Sequence, residues 1–349
     1  MNLKRERTLT IFNLKNSIIR LLLLAGISLA FLYGFSLFRP WRKIAKENSI
    51  EVAIERGMTP KEISRLLKEK GVIRSESSFL LGAKLLGITR NLQAGRYLFQ
   101  GRLTNYSVLR KLHKGRVISA YVTIPEGSRA TKIASILHQH LDIDSIRFMT
   151  LATEPSFCTS QGFDEMILEG YLYPDTYRFH QNATPEDIIK TMLSRFREVF
   201  VDSLKRRSEE RGLSIHDVVT LASIVEGEAA LDSERPKIAA LYLNRLKRRM
   251  LLQADPTIQY LIKNGPRRLL NKDLEIDSPY NTYIHPGLPP GPVNNPGLAS
   301  ILAVLYPDTV RYLYMVANGD GSHTFSRTMN EHLRAKNRFD QIRRNARRK

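Results

Sequence analysis

The chain has 349 residues, 42% hydrophobic and 25% charged, a composition that can build a real core. Its formal net charge of +20 implies an anionic neighbour (nucleic acid, a membrane surface or an acidic polymer) without choosing among them. The single cysteine, Cys158, excludes an intrachain disulfide. Residues 18–38, IIRLLLLAGISLAFLYGFSLF, carry one charge, Arg20. As a helix they would span about 31 Å, the thickness of a bilayer core. A cleaved signal would have an apolar core of only ~7–15 residues and a small-residue cleavage site. Phe35, Phe38, Pro40 and Trp41 stand there instead, in the manner of an interfacial belt. An uncleaved single-pass anchor is therefore expected, with residues 1–17 as a cytoplasmic tail. Basic residues flank both sides of the span, so the short tail ahead of a large domain sets the expected orientation, domain outside.

Beyond the anchor, VAIERGMTPKEISRLL (residues 52–67) repeats weakly as VTIPEGSRATKIASIL (residues 122–137). Each copy reads as a short strand, a glycine turn and an amphipathic helix. Gly95–Phe99 reads as a strand and Ser107–His113 as a helix stopped by Gly115, which gives a small α/β module over 51–118. Helices are expected at 185–201, 214–229 and 234–249. The tract SPYNTYIHPGLPPGPVNNPG, residues 278–297, holds six of the sixteen prolines and cannot be a regular element. It is expected to be a stiffened, ordered loop of the kind that carries function. Residues 309–319 alternate as a strand that returns through GSHTFSRT. The basic tail, 334–349, reads as a solvated helix end. The fold class is α+β: anchor, small module over 51–118, and a mixed α+β domain over 119–345.

Helix 214–229 raises the chemical question. With Val218 at zero and 100° per residue, Leu221, Ala222, Val225 and Ala229 form one apolar stripe, and Thr220, Ser223 and Gly227 lie opposite. Glu226 falls at about 80°, on one shoulder of the stripe, and Glu228 at about 280°, on the other. A half-buried carboxyl has a raised pKa, as a general acid near neutral pH requires. The plainer alternative is a surface glutamate paired with Arg235 or Arg245.

Five further tracts bear on that choice. LASIVEGEA, ERPKIAALYLNRL, LQADPTIQY, the proline-rich tract and YLYMVANGDGSHTFSRTMNEH occur in that order, with EGYLYPDTY upstream. Together they resemble the endolytic murein transglycosylases, the YceG-like family, over about residues 50–340. The resemblance implies a LysM-like module after the anchor and a lyase that cuts within peptidoglycan glycan strands. The cut bond would be the β-1,4 linkage from N-acetylmuramic acid to N-acetylglucosamine, leaving a 1,6-anhydro end and terminating strand growth. It puts the catalytic glutamate on Glu226, acting first as acid and then as base to the C6 hydroxyl. Gly227 is a mild departure from the family pattern, which more often has a polar residue there. Gln253, Asp255, Thr257, Asn281, Asn318 and His323 are candidates by type to hydrogen-bond the sugars. Tyr260, Tyr280, Tyr283 and Phe325 offer flat apolar faces. No metal or cofactor is needed. Partners expected are the glycan strands, the membrane and penicillin-binding proteins of wall synthesis, with no specific nucleic acid. The alternative function is a noncatalytic peptidoglycan-binding scaffold at the membrane surface.

Overall fold

The computed structural model describes Leu24 and residues 37–346, except residues 56, 116–118, 164–166, 181–182 and 264. The expected tail and almost all of the expected anchor lie outside the described residues. Among those described, no helix is long and apolar enough to cross a membrane. The protein is a mixed α+β chain that divides into two compact units, one ending at Ala120 and also holding His180, the other comprising Tyr121–Phe179 and the residues from Ala183 on.

In the first unit, β1 (Arg42–Ile44) and β2 (Ile50–Ile54) precede α1 (Pro60–Glu69) and α2 (Glu76–Leu85); β3 (Gly95–Phe99), β4 (Gly101–Leu103) and α3 (Asn105–His113) follow. β2 pairs antiparallel with β3, Val52 opposite Tyr97, and β1 pairs antiparallel with β4, Lys43 opposite Arg102. Alternation along β2 sends Val52 and Ile54 into a core that also takes Ile63 and Leu67 from α1, Phe79 from α2 and Leu109 and Leu112 from α3. Thr59 starts α1 with a full capping box, accepting from Glu62 N while the Glu62 carboxylate accepts from Thr59 N. Gly71 follows the helix at φ +67°, the left-handed stop.

The second unit takes up most of β5 (Ser119–Thr123), from Tyr121 on, and of β6 (Thr176–His180), up to Phe179, and the two strands pair. Between these strands run α4 (Ala130–Leu141), α5 (Ser145–Thr153) and α6 (Pro155–Ser160). After them come α7 (Pro185–Val199), α8 (Asp202–Glu210), α9 (Ile215–Glu228), α10 (Arg235–Lys247) and α11 (Asp255–Leu261). α12 (Leu298–Leu305), the antiparallel hairpin β7 (Tyr314–Ala317) and β8 (His323–Ser326), and α13 (Met329–Ala346) complete it. The tract 278–297 has no helix or strand, as its prolines require.

α9 is the pivot of the second unit. Ser214 caps it through a box with Asp217. Every side chain from Val218 to Val225 is buried, so the helix has no solvent face over two turns. Opposite the apolar stripe, Ser223 packs against the proline-rich tract. Ser223 Oγ accepts from Val293 N at 3.0 Å, and Asn294 Nδ2 donates to the Ser223 carbonyl at 2.8 Å.

Candidate active site

The two glutamates at the end of α9 diverge, as a separation of two residues on a helix demands. Glu226 turns toward α10 and α12. Its Oε1 lies 3.1 Å from Arg235 Nη1, and its Oε2 accepts from Gly297 N at 3.1 Å and Ser300 Oγ at 2.8 Å. Arg235 Nη1 also donates to Ser300 Oγ, at 2.6 Å. Both side chains of the ion pair are under a tenth exposed. Glu226 is thus held in a buried ion pair, with Arg235 the partner that the plainer alternative names.

Glu228 lines a pocket of about 450 Å³, with Gly127, Arg129, Gly227, Asp255, Pro256, Gln259, Tyr260 and Asn294 among its walls. Its Oε1 accepts from Tyr242 Oη at 2.8 Å. Burial pushes its carboxyl up to about 7, the Tyr242 bond opposes the rise, and the Asp255 carboxylate adds to it. Its place at the C-terminal end of α9 adds a further reason to hold a proton, since that end of a helix disfavours negative charge. Gly227 has a spatial cause: a Cβ there would come within 2.7 Å of Pro256, so only glycine lets α11 approach α9 this closely.

Buried polar links through Asn295 and Glu169 brace the elements around the pocket. Asn295 is fully buried, and its Oδ1 accepts from Gly170 N at 2.8 Å and Leu172 N at 2.9 Å. Its Nδ2 donates to the Ser128 carbonyl at 2.9 Å and to Glu169 Oε1 at 2.7 Å. All four capacities of the amide are filled. The Glu169 carboxylate also caps α4 by accepting from Ala130 N, and burial pushes its pKa up to about 7. A second carboxyl, Glu126, is raised by burial and by the charge of Glu226.

The expected substrate contacts separate into three groups. Asp255 and Tyr260 line the pocket with Glu228, and Tyr283 donates its hydroxyl to Asp255 Oδ1. Tyr280 rests on Tyr260, with ring centroids 4.9 Å apart. His323 is held by Glu234, with Nδ1 at 2.8 Å from Oε2 and its backbone N–H donating to Oε1, and it is close enough to Glu228 for its charge to act there. Phe325 stacks on Tyr312 in the hairpin. Gln253 is exposed, with φ +49°. Asn318 is committed to its own turn, bonding Ser322 and Thr324. Thr257 and Asn281 are interior scaffold rather than wall. Thr257 Oγ1 bonds the Ala254 carbonyl and Thr282 Oγ1; Asn281 Nδ2 bonds the carbonyls of Leu274 and Ile276 while its Oδ1 accepts from Tyr283 N. Arg129, Tyr242 and Asn294 also stand at the site, and no local pattern in the sequence singles them out.

The family profile described as YceG-like matches residues 52–338. The chain belongs to the YceG-like family. An endolytic murein transglycosylase of Bacillus subtilis is 37% identical over 326 residues, covering 89% of this YceG-like chain and 90% of the relative. Another, from Streptococcus pneumoniae R6, is 29% identical over 320 residues; this chain spans 57% of that relative's length. A crystal structure of a YceG-like protein from Listeria monocytogenes superposes with a TM-score of 0.59 at 33% identity, covering 83% of this chain and 99% of that one.

Proposed function

We propose that this protein is an endolytic murein transglycosylase in which Glu228 carries the proton. The observation that supports this most is a buried carboxyl on a pocket wall, hydrogen-bonded by Tyr242, in surroundings that push its pKa up to about 7. Such a group is protonated often enough at neutral pH to give its proton and basic enough to take one back. In the forward step Glu228 protonates the glycosidic oxygen between N-acetylmuramic acid and N-acetylglucosamine as the C1–O bond breaks. The muramyl C6 hydroxyl closes on C1, and its proton passes to the Glu228 carboxylate. The carboxyl is regenerated, no water is consumed, and the product end is a 1,6-anhydro sugar. Hydrolases of this bond type normally need a second carboxylate for the nucleophile or for water. Here the nucleophile belongs to the substrate, so one carboxyl serves. The family resemblance puts this role on Glu226, which is bonded to Arg235, Gly297 and Ser300; we place it on Glu228 instead.

The membrane part of the reading rests on sequence. Residues 18–38 anchor the chain once, the LysM-like module spans 51–118, and the catalytic domain over 119–345 stands outside the cytoplasmic membrane. That position is beside the emerging strands, with a penicillin-binding protein as neighbour. Full-length protein in detergent, incubated with peptidoglycan, is expected to yield anhydro-muropeptides by mass spectrometry. New reducing ends in their place would make it a hydrolase, and glycan binding without any cleavage would leave the scaffold alternative.

A further inference from the structure

Two buried polar atoms beside Glu228 have no partner among the described residues. Asn294 is 6% exposed; its Nδ2 donates to the Ser223 carbonyl, but its Oδ1 accepts nothing. Arg129 gives Nη2 to the Tyr260 carbonyl at 2.7 Å and Nη1 to the Gln259 carbonyl at 3.4 Å, while its buried Nε donates to nothing. Both residues line the Glu228 pocket. Native proteins leave few such atoms unpaired, because each costs ~1–3 kcal/mol. One orphan is an acceptor and the other a donor. Much of the remaining wall is apolar: Pro256, Val293, Pro266 and the Tyr260 ring, which lies 4.6 Å under the Arg129 guanidinium.

An acetamido group is complementary to this set. It offers one N–H donor, one carbonyl acceptor and a methyl. A sugar hydroxyl could satisfy either orphan but has no use for the apolar wall. We propose that the pocket is an N-acetyl subsite. Asn294 Oδ1 accepts the N–H of a 2-acetamido group, Arg129 Nε donates to its carbonyl, and the methyl packs on Pro256 and Val293. The choice of a glycan as ligand rests on the transglycosylase reading. The subsite gives that reading a specificity: a glycan stripped of acetyl groups presents an ammonium to Arg129 and is refused.

Equilibrium binding to the full-length protein in detergent tests the subsite apart from turnover. The probes are tri-N-acetylchitotriose, the same trimer fully de-N-acetylated, and its N-formyl form. Wild type is expected to prefer the acetylated trimer by about tenfold or more, the worth of one or two buried hydrogen bonds. The N-formyl trimer, which keeps the polar pair and lacks the methyl, should fall between. Asn294→Ala and Arg129→Lys should each bring the preference toward unity. Asn294→Asp sets a carboxylate where the amine would sit and should turn the preference toward the de-N-acetylated trimer, an inversion that a merely structural asparagine would not produce. If Asn294→Ala does not fold, Arg129→Lys carries the test. Equal wild-type binding of all three trimers, no binding of any, or an acetyl preference that survives every folded variant overturns the proposal. An intact acetyl preference without anhydro ends from peptidoglycan would instead sink the transglycosylase reading and leave the subsite standing.

Discussion

The two strand–glycine–helix repeats have the same local grammar and opposite fates. In the first, Thr59 caps its own helix, and the glycine turn at Gly57 has no neighbour within 4 Å of where a Cβ would be. In the second, Arg129 stands at the capping position with no side-chain cap bond, and the first helical N–H is capped by Glu169, 39 residues away. Its glycine turn, Gly127, lies against Glu226, 3.4 Å from Cγ to the missing Cβ. The first copy is self-sufficient and its unit is stapled mostly by apolar packing. The second gave up its local cap, freed Arg129 to line the pocket, and recruited a buried carboxylate from elsewhere in the chain. A site arises where a repeat stops satisfying itself.

Breaking the chemistry should have the largest effect. Glu228→Gln is expected to lower turnover ~10³–10⁴-fold, because one group loses both its acid and its base role. Thermal unfolding should change little. Glu226→Gln should show the reverse pattern, a stability loss of about 1–3 kcal/mol, because Arg235 loses one buried partner and keeps Asp232 and Ser300. Full activity in a folded Glu228→Gln protein, with Glu226→Gln dead at unchanged melting temperature, would return the acid to Glu226.

Asn295→Ala comes next. It removes four buried hydrogen bonds, leaves the Glu169 carboxylate with only its bonds from Ala130 N, and should cost several kcal/mol, ~3–5 by analogy with other broken buried networks. Denaturant unfolding measures it, and a loss under ~1 kcal/mol would deny the network its role.

The pH dependence is a smaller effect with a definite sign. Glu169 has a folded pKa of about 7 against an ordinary 4.5, so the folded state holds its proton more tightly. The contribution to stability is full below 4.5 and is lost as the pH rises to about 7. Glu169→Gln should flatten the decline in stability between those values, measured by urea midpoints. Turnover should likewise fall above pH 7 as Glu228 loses its proton, and an activity that climbs steadily to pH 9 would exclude it as the acid.

The smallest change belongs to the first repeat. Thr59→Ala should cost about 1 kcal/mol in its own unit and leave turnover alone. An equal loss of activity would mean that the two copies are less different than their caps imply.

Local elements were legible because local chemistry decides them. Gly71, the Ser214 capping box and the prolines of 278–297 act within a few residues, and the elements that they delimit stand where expected. The strand expected over 309–319 is shorter, because Asn244 and Arg245 take the carbonyls of Val310, Tyr312 and Leu313 before a ladder can use them. The helix expected to run to residue 201 stops at Val199, where Phe200 turns into the core and a second helix starts. At the site, a helical wheel put both glutamates on shoulders of one stripe. It could not tell that Arg235 waits on one side and a pocket on the other, since neither neighbour is local. Thr257 and Asn281 looked like sugar contacts by type, but residue type does not reveal which polar groups the backbone will claim.

The Asn295 amide also bears on the order of assembly. It joins residues 123 and 167 positions away, to Leu172 and Ser128, and each such link closes a long loop at an entropic cost that must be met before the contact returns anything. Glu228 and its helix are complete long before residue 295 leaves the ribosome, whereas the walls that would seat a glycan against it are not. A chain truncated before residue 295 would therefore carry Glu228 on its helix without the amide that ties Ser128, Glu169 and Leu172 together.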